Sequence, residues 1–237
     1  MSKRHSESGG TTAVPKNFRL QAGVNPTHLD VTLDLGKDSF DGSASFDIII
    51  DEPVSEILLN AVEITFHEVT VTDAHGTSLT GTVTVDDDTE LATIKFAGTL
   101  APGQWKLNER WTGQYQDDKL KGLYRSFYKN KKGEDKVQYS TQCESTDFRR
   151  IVPGFDEPAK RITWQLTLIC DSDLTALSNT RVESEEIIDD GIRFITPPAQ
   201  GIRAPGPEYK QRKKVVFKKT PVTLSTYLFA AIAGEFV

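Results

Sequence analysis

The chain has 237 residues, 28 of them Lys or Arg against 34 Asp or Glu, with a formal net charge of −6 and 37% hydrophobic residues. That is enough for one large domain or two small ones around a sizeable core, and the acidic balance argues against a nucleic-acid binder, which needs a basic surface. No run nears the roughly 18 apolar residues of a spanning helix, and the start lacks the apolar segment of a secretory signal, so a soluble chain with no membrane partner is expected.

In chain order, residues 1–15 are Ser, Gly, Thr and charge without periodicity and read as a disordered lead-in. Alternation then begins. Leu29, Val31, Leu33 and Leu35 fall on one face of the first run, and Phe46, Ile48 and Ile50 on one face of the second. Val83/Val85, Ile94/Phe96, Trp105/Leu107 and Ile162/Trp164/Leu166/Leu168 continue the pattern of half-buried strands. Turn makers separate the runs: Asp41-Gly42, His75-Gly76, Asp86-Asp87-Asp88, Ala101-Pro102-Gly103, Lys132-Gly133 and Asp190-Gly191. No helix longer than two turns is expected, and Phe155–Arg161 offers one short turn. The Pro/Gly-rich stretch from Thr196 to Pro207 reads as a long surface loop. The apolar run Val222 to Phe236 reads as a strand buried on both faces. These signals predict an all-β protein built on a large curved or saddle-like mixed sheet or sandwich, with few short helices.

Chemistry-bearing residues are sparse. Zinc in a His-Glu-x-x-His helix needs a second histidine four residues on; after His67-Glu68 that place is Val71, within a β-branched, strand-like run. His5, His28 and His75 are expected to face solvent, so no metal site is predicted. Cys143 has no histidine near it in sequence, and Cys170 ends an alternating strand on its apolar side. Two cysteines cannot form a disulfide framework, which makes the reduced cytoplasm the expected compartment. The basic clusters Lys119–Lys136 and Arg203–Lys219 are expected to be solvated strand edges, where lysines block edge-to-edge pairing.

One segment differs in kind. Ser140–Pro158 carries four acids, two arginines, a glutamine and two prolines in nineteen residues. Arg149 and Arg150 can form structural ion pairs with Asp147, Asp156 or Glu157, since guanidinium suits bidentate carboxylate contacts. Such a segment fits equally an arginine-stapled connection between sheets and a ligand site.

Within it stand Gln142-Cys143-Glu144, Arg149-Arg150 and Pro153-Gly154-Phe155-Asp156-Glu157-Pro158. Further motifs follow the same order: Gly122-Leu-Tyr-Arg-Ser-Phe-Tyr128, Ala176-Leu-Ser-Asn179, Ser225-Thr-Tyr-Leu228 and Gly234-Glu-Phe236. Together they resemble the N-terminal β domain of the zinc aminopeptidases related to aminopeptidase N and leukotriene hydrolase (peptidase family M1), over residues 16–237. Phe148, where a small residue is usual, and Gly154, where a cysteine is common, depart from the pattern and suggest altered packing.

The resemblance implies removal of single residues from peptide N-termini by zinc-activated water. The zinc and its His-Glu-x-x-His motif would lie in a following catalytic domain, so this chain would hold no cofactor and no catalytic residue of its own. It also implies that Glu144 binds the substrate's α-ammonium and that Gln142 lines the pocket for the first side chain. A non-catalytic scaffold, or a stand-alone peptide-binding β domain derived from that family, is the alternative.

Overall fold

The computed structural model describes residues 19–188 and 211–236. The lead-in 1–15, the turn at Asp190-Gly191 and the Pro/Gly-rich stretch at 196–207 lie outside them. The strands among these residues are β1 (Val24–Leu35), β2 (Ser39–Ile50), β3 (Val54–Asn60), β4 (Ile64–Asp73), β5 (Ser78–Asp86), β6 (Leu91–Leu100), β7 (Gly103–Gln114), β8 (Gly122–Lys129), β9 (Asp135–Gln142), β10 (Thr163–Asp171), β11 (Thr175–Ser178), β12 (Val182–Ile188), β13 (Arg212–Phe217) and β14 (Ala231–Gly234), and the alternating runs of the sequence fall in β1, β2, β5, β6, β7 and β10. Among the described residues the helical elements are two 3-10 turns, Phe148–Arg150 and Thr226–Leu228.

Ten strands form one open mixed sheet in the order β12-β13-β10-β1-β2-β7-β4-β5-β6-β3, and the other four a second sheet, β11-β14-β9-β8. β1 runs parallel to β10, with His28 opposite Thr163 and Leu33 opposite Leu168. The other pairings of the large sheet are antiparallel. Period-2 patterning explains the core: Leu29, Leu33, Phe46, Ile48, Leu107, Trp164 and Leu168 all point inward and are buried. Rings join the sheets through that core, with Tyr115 5.5 Å from Tyr139 and Trp164 5.8 Å from Phe229. Each such fully buried side chain contributes roughly 1.5–3 kcal/mol.

Several expectations are corrected. Asp41-Gly42 is not a turn but lies inside β2, where Gly42 faces Trp111 on β7. A Cβ at position 42 would meet the indole at 2.2 Å, and one at Gly113 would meet the ring of Phe40 at 2.2 Å. These glycines are strand residues over which an aromatic side chain lies flat.

Val222–Phe236 is not one buried strand. The Thr226 hydroxyl donates to Asp156 Oδ1 (2.6 Å) and the Ser225 hydroxyl to the Pro158 carbonyl (3.1 Å), drawing this part of the chain into a 3-10 turn. Val222, Leu228 and Phe236 are left exposed; Leu224 makes a single antiparallel bridge to Ile162, and Ala231–Gly234 forms the one strand of the run, between β11 and β9. His28 is not solvent-facing: its Nδ1 lies 2.8 Å from the Thr163 hydroxyl and its side chain is 13% exposed.

The second basic cluster is not a solvated edge either, since β13 is an inner strand covered by β12. Arg212 and Lys213 are buried, the first paired with Asp34 (2.5 Å) and the second with Glu185 (2.9 Å). β8, within the first cluster, is an edge strand.

Candidate functional site

The site begins where β9 ends. Strand alternation carries through Gln142-Cys143-Glu144, so Gln142 and Glu144 face outward and Cys143 is buried between them. Burial pushes the Cys143 thiol well above the usual range, and it donates to the Phe229 carbonyl (3.5 Å), so it anchors the strand end and is no nucleophile. The Glu144–Ser145 peptide is cis. A turn closes when the Asp147 amide donates to the Cys143 carbonyl (2.9 Å), and the 3-10 turn follows directly.

Two arginines then latch the segment to the large sheet. Arg149 is buried; its Nε donates to Asp156 Oδ2 (3.0 Å), one terminal nitrogen to the Asp156 carbonyl (3.0 Å) and the other to Glu90 Oε2 (2.8 Å). Arg150 Nε donates to Asp147 Oδ1 (2.9 Å), and its Nη1 lies 3.1 Å from Glu63 Oε2, in ionic contact without hydrogen-bond alignment. Glu157 accepts from the Leu20 amide (3.0 Å) and lies 3.9 Å from exposed Arg19. Backbone bonds reinforce the latch: Asn60 and Gly154 exchange both of theirs, and the Val62 amide donates to the Arg149 carbonyl (3.1 Å). The Trp111 indole N–H donates to the Ile151 carbonyl (2.9 Å). Buried polar groups here are thus largely satisfied, as a low-dielectric site requires.

The four acids of the segment therefore differ. Asp147, Asp156 and Glu157 are engaged, whereas among the described residues Glu144 has no hydrogen-bonding or ionic partner and stands exposed beside Gln142. Glu63 and Glu90 were not anticipated as partners. They lie far upstream in the turns before β4 and β6, and no local pattern links them to the arginines.

The departures at Phe148 and Gly154 are packing features. Phe148 is buried with its ring 5.3 Å from that of Phe229, and a Cβ at position 154 would stand 2.9 Å from Phe46 Cζ. Gly122, at φ 55°, lets β8 start against Arg150, where a Cβ would come within 2.8 Å of the Arg150 Cβ. From the same strand Arg125 pairs with Asp117, whose carboxyl this pairing holds below its ordinary value. Arg125 also lies over the Tyr115 ring (4.6 Å) and donates to the Lys37 carbonyl, tying β8 to the large sheet.

Other chemistry-bearing residues are elsewhere. His67 Nε2 is 2.7 Å from the Thr112 hydroxyl, and burial pushes the Cys170 thiol up to about 11. Among the described residues no three His, Cys, Asp or Glu side chains gather as a metal-binding group, so the described residues do not fit a zinc ion. A depression of about 680 Å³ crosses the polar face of β10, β1, β2, β7 and β4, and none of its lining belongs to the Ser140–Pro158 segment.

A strand end carrying an exposed Gln-x-Glu, latched by consecutive arginines, can be compared with known proteins. A model of the peptidase M1 N-terminal domain matches residues 14–200. The chain belongs to this family. It is 36% identical over 230 residues to the puromycin-sensitive aminopeptidase of Caenorhabditis elegans, covering 96% of this chain and 22% of that protein. With aminopeptidase 2 of Candida albicans the identity is 34% over 233 residues, again 96% of this chain and 22% of the relative. With mitochondrial aminopeptidase 2 of Saccharomyces cerevisiae it is 30% over 228 residues, or 93% and 21%. The chain thus spans about a fifth of the length of the curated relatives it matches. No helix among its described residues is long and apolar enough to cross a membrane.

Proposed function

We propose that this M1 N-terminal domain supplies one wall of the substrate site of an aminopeptidase, with Glu144 binding the α-ammonium of a peptide and Gln142 lining the pocket for its first side chain. The observation that carries this reading is that Glu144 alone of the four acids in its segment has no partner among the described residues, while its backbone is held on both sides. An exposed carboxylate on a fixed backbone suits a cationic ligand. A free amine is chosen over an internal amide because only the ammonium makes charge-assisted hydrogen bonds.

Zinc, which supplies activated water in the family this chain resembles, would reside in a further domain. This chain's own residues bind and orient the amine and leave the hydrolytic step to that domain. Its partners are then peptide N-termini and a catalytic domain, with no nucleic acid and no membrane. We place it in the cytoplasm, on the ground that its two cysteines are free and buried.

Glu144→Gln in the full-length aminopeptidase tests the proposal. Loss of a charge-assisted hydrogen bond costs about 1.5–3 kcal/mol, so KM for free-amine substrates rises about tenfold or more with a smaller change in kcat. The advantage of free over N-acetylated peptides as competitors, expected in the parent enzyme, is expected to shrink in the variant. A variant with the parental KM would remove Glu144 from the site.

A further inference from the structure

Among the described residues two that are not glycine have a left-handed backbone, Glu63 and Glu90, both at φ 57°. Glycine, asparagine or aspartate would take that conformation more readily. Both glutamates keep it while each directs its carboxylate at one of two consecutive arginines, Glu63 at Arg150 (3.1 Å) and Glu90 at Arg149 (2.8 Å). The two contacts are counterparts. Each arginine joins an acid of its own segment to an acid from a turn of the large sheet: Asp147–Arg150–Glu63 and Asp156–Arg149–Glu90.

Their placement differs in one respect that matters. Asp147 closes the turn that carries Glu144, through its amide bond to the Cys143 carbonyl (2.9 Å). Asp156 lies at the far end of the segment, bonded to Asn60 and Thr226. Asp147 therefore stands three residues from Glu144, whereas the nearest member of the other triad, Arg149, is five away and its acid, Asp156, is twelve. Glu63 is further held by the amide of Gln116, which donates to the same oxygen that faces Arg150.

We infer that Glu63 is a positioning residue for the amine-binding site: through Arg150 and Asp147 it sets where Glu144 stands, whereas Glu90 serves only to fix the segment to the sheet. This rests on the assignment of Glu144 to the amine. A strained backbone retained around a carboxylate is a recurrent mark of a site whose geometry is held in advance of binding.

The test is a set of variants in the full-length aminopeptidase, read by KM, kcat and melting temperature. Glu63→Gln keeps the length of the side chain and removes its charge. Glu63→Gly removes the carboxylate and also relieves the left-handed backbone, so a purely structural role predicts an unchanged or higher melting temperature and an unchanged KM. The expected result is a KM about fivefold higher in both Glu63 variants, with kcat within about twofold. Glu90→Gln is expected to lower the melting temperature and leave KM unchanged.

Glu144→Gln, measured alongside, separates the two ideas. If it raises KM while both Glu63 variants keep the parental value, the positioning role is overturned and the amine-binding role stands. Equal KM increases in the Glu63 and Glu90 variants likewise overturn it, by showing a general loosening of the segment. If Glu144→Gln itself leaves KM unchanged, both ideas fall together.

Discussion

Glu109, in the middle of β7, is buried, and among the described residues neither carboxylate oxygen has a hydrogen-bond partner. Its neighbours across the sheet are Ala44 and Val69, and along its own strand and face Leu107 and Trp111. Desolvation raises its carboxyl well above the ordinary value of 4.5. An acid that holds its proton in the folded state and loses it near 4.5 when unfolded makes stability fall as pH rises above that point. The fall continues until the folded-state value is passed, and the full contribution is present only below the unfolded one. Glu109→Leu is therefore expected to raise stability by about 1–3 kcal/mol at pH 8 and by less at pH 5. Urea denaturation at the two pH values measures the difference; an equal gain at both would place an ionised carboxylate in the native core. The residue was not legible in the sequence. Leu107 and Trp111 share the inward parity with Glu109, but an acid in that register reads as a break in the strand face, not as a buried side chain. Arg149 and Arg150 were legible as ion-pair formers, with Asp147 and Asp156, because those partners are close in sequence. Glu63 and Glu90 were not, because only the fold brings them near.

At the level of elements, alternation located β1, β2, β5, β6, β7 and β10, since one buried face imposes period 2 regardless of what lies opposite, but it left β3, β9 and β12 unmarked. It misread glycine and the C-terminal run, where long-range contacts override local preference. Gly42 next to Asp41 looks like a turn; the deciding fact is the Trp111 indole lying over it from β7. Gly113 opposite Phe40 repeats the device with the strands exchanged. The two pairs lock the register of β2 against β7, because a one-residue slip would set a Cβ under each ring. Gly42→Ala and Gly113→Ala should each destabilise by about 1–3 kcal/mol, the usual range for overpacking a filled core. Gly76→Ala is the control for a changed turn, since its added Cβ meets nothing within 4 Å although its φ of 86° is still unfavourable. Thermal melting ranks the three, and a smaller loss at both strand positions than at Gly76 would contradict the packing argument. The run Val222–Phe236 failed for a related reason: the hydroxyls of Ser225 and Thr226 bind Pro158 and Asp156, and hydropathy does not register them.

At the scale of the molecule, the candidate site occupies the end of one strand and the loop after it, while two sheets hold that loop still. On the proposed function, an isolated wall of this kind would bind without turning over. The 237-residue chain, assayed with a chromogenic aminoacyl substrate and added zinc, should release no product. Zinc-dependent turnover would show that the hydrolytic groups lie within it. The fold class was legible because β1, β2, β5, β6, β7 and β10 leave their period in the sequence. Strand order was not, because hydropathy does not say which edges meet. That order bears on how the protein is made. β1 gains its first neighbour, β2, within a few residues, but its other neighbour is β10, with His28 and Thr163 135 positions apart. During synthesis the far edge of β1 therefore stays open while β2 to β9 emerge, and contacts of such long range form slowly. Until β10 has emerged the nascent chain carries a strand edge with unpaired backbone N–H and C=O groups, the interval in which it is open to wrong pairing.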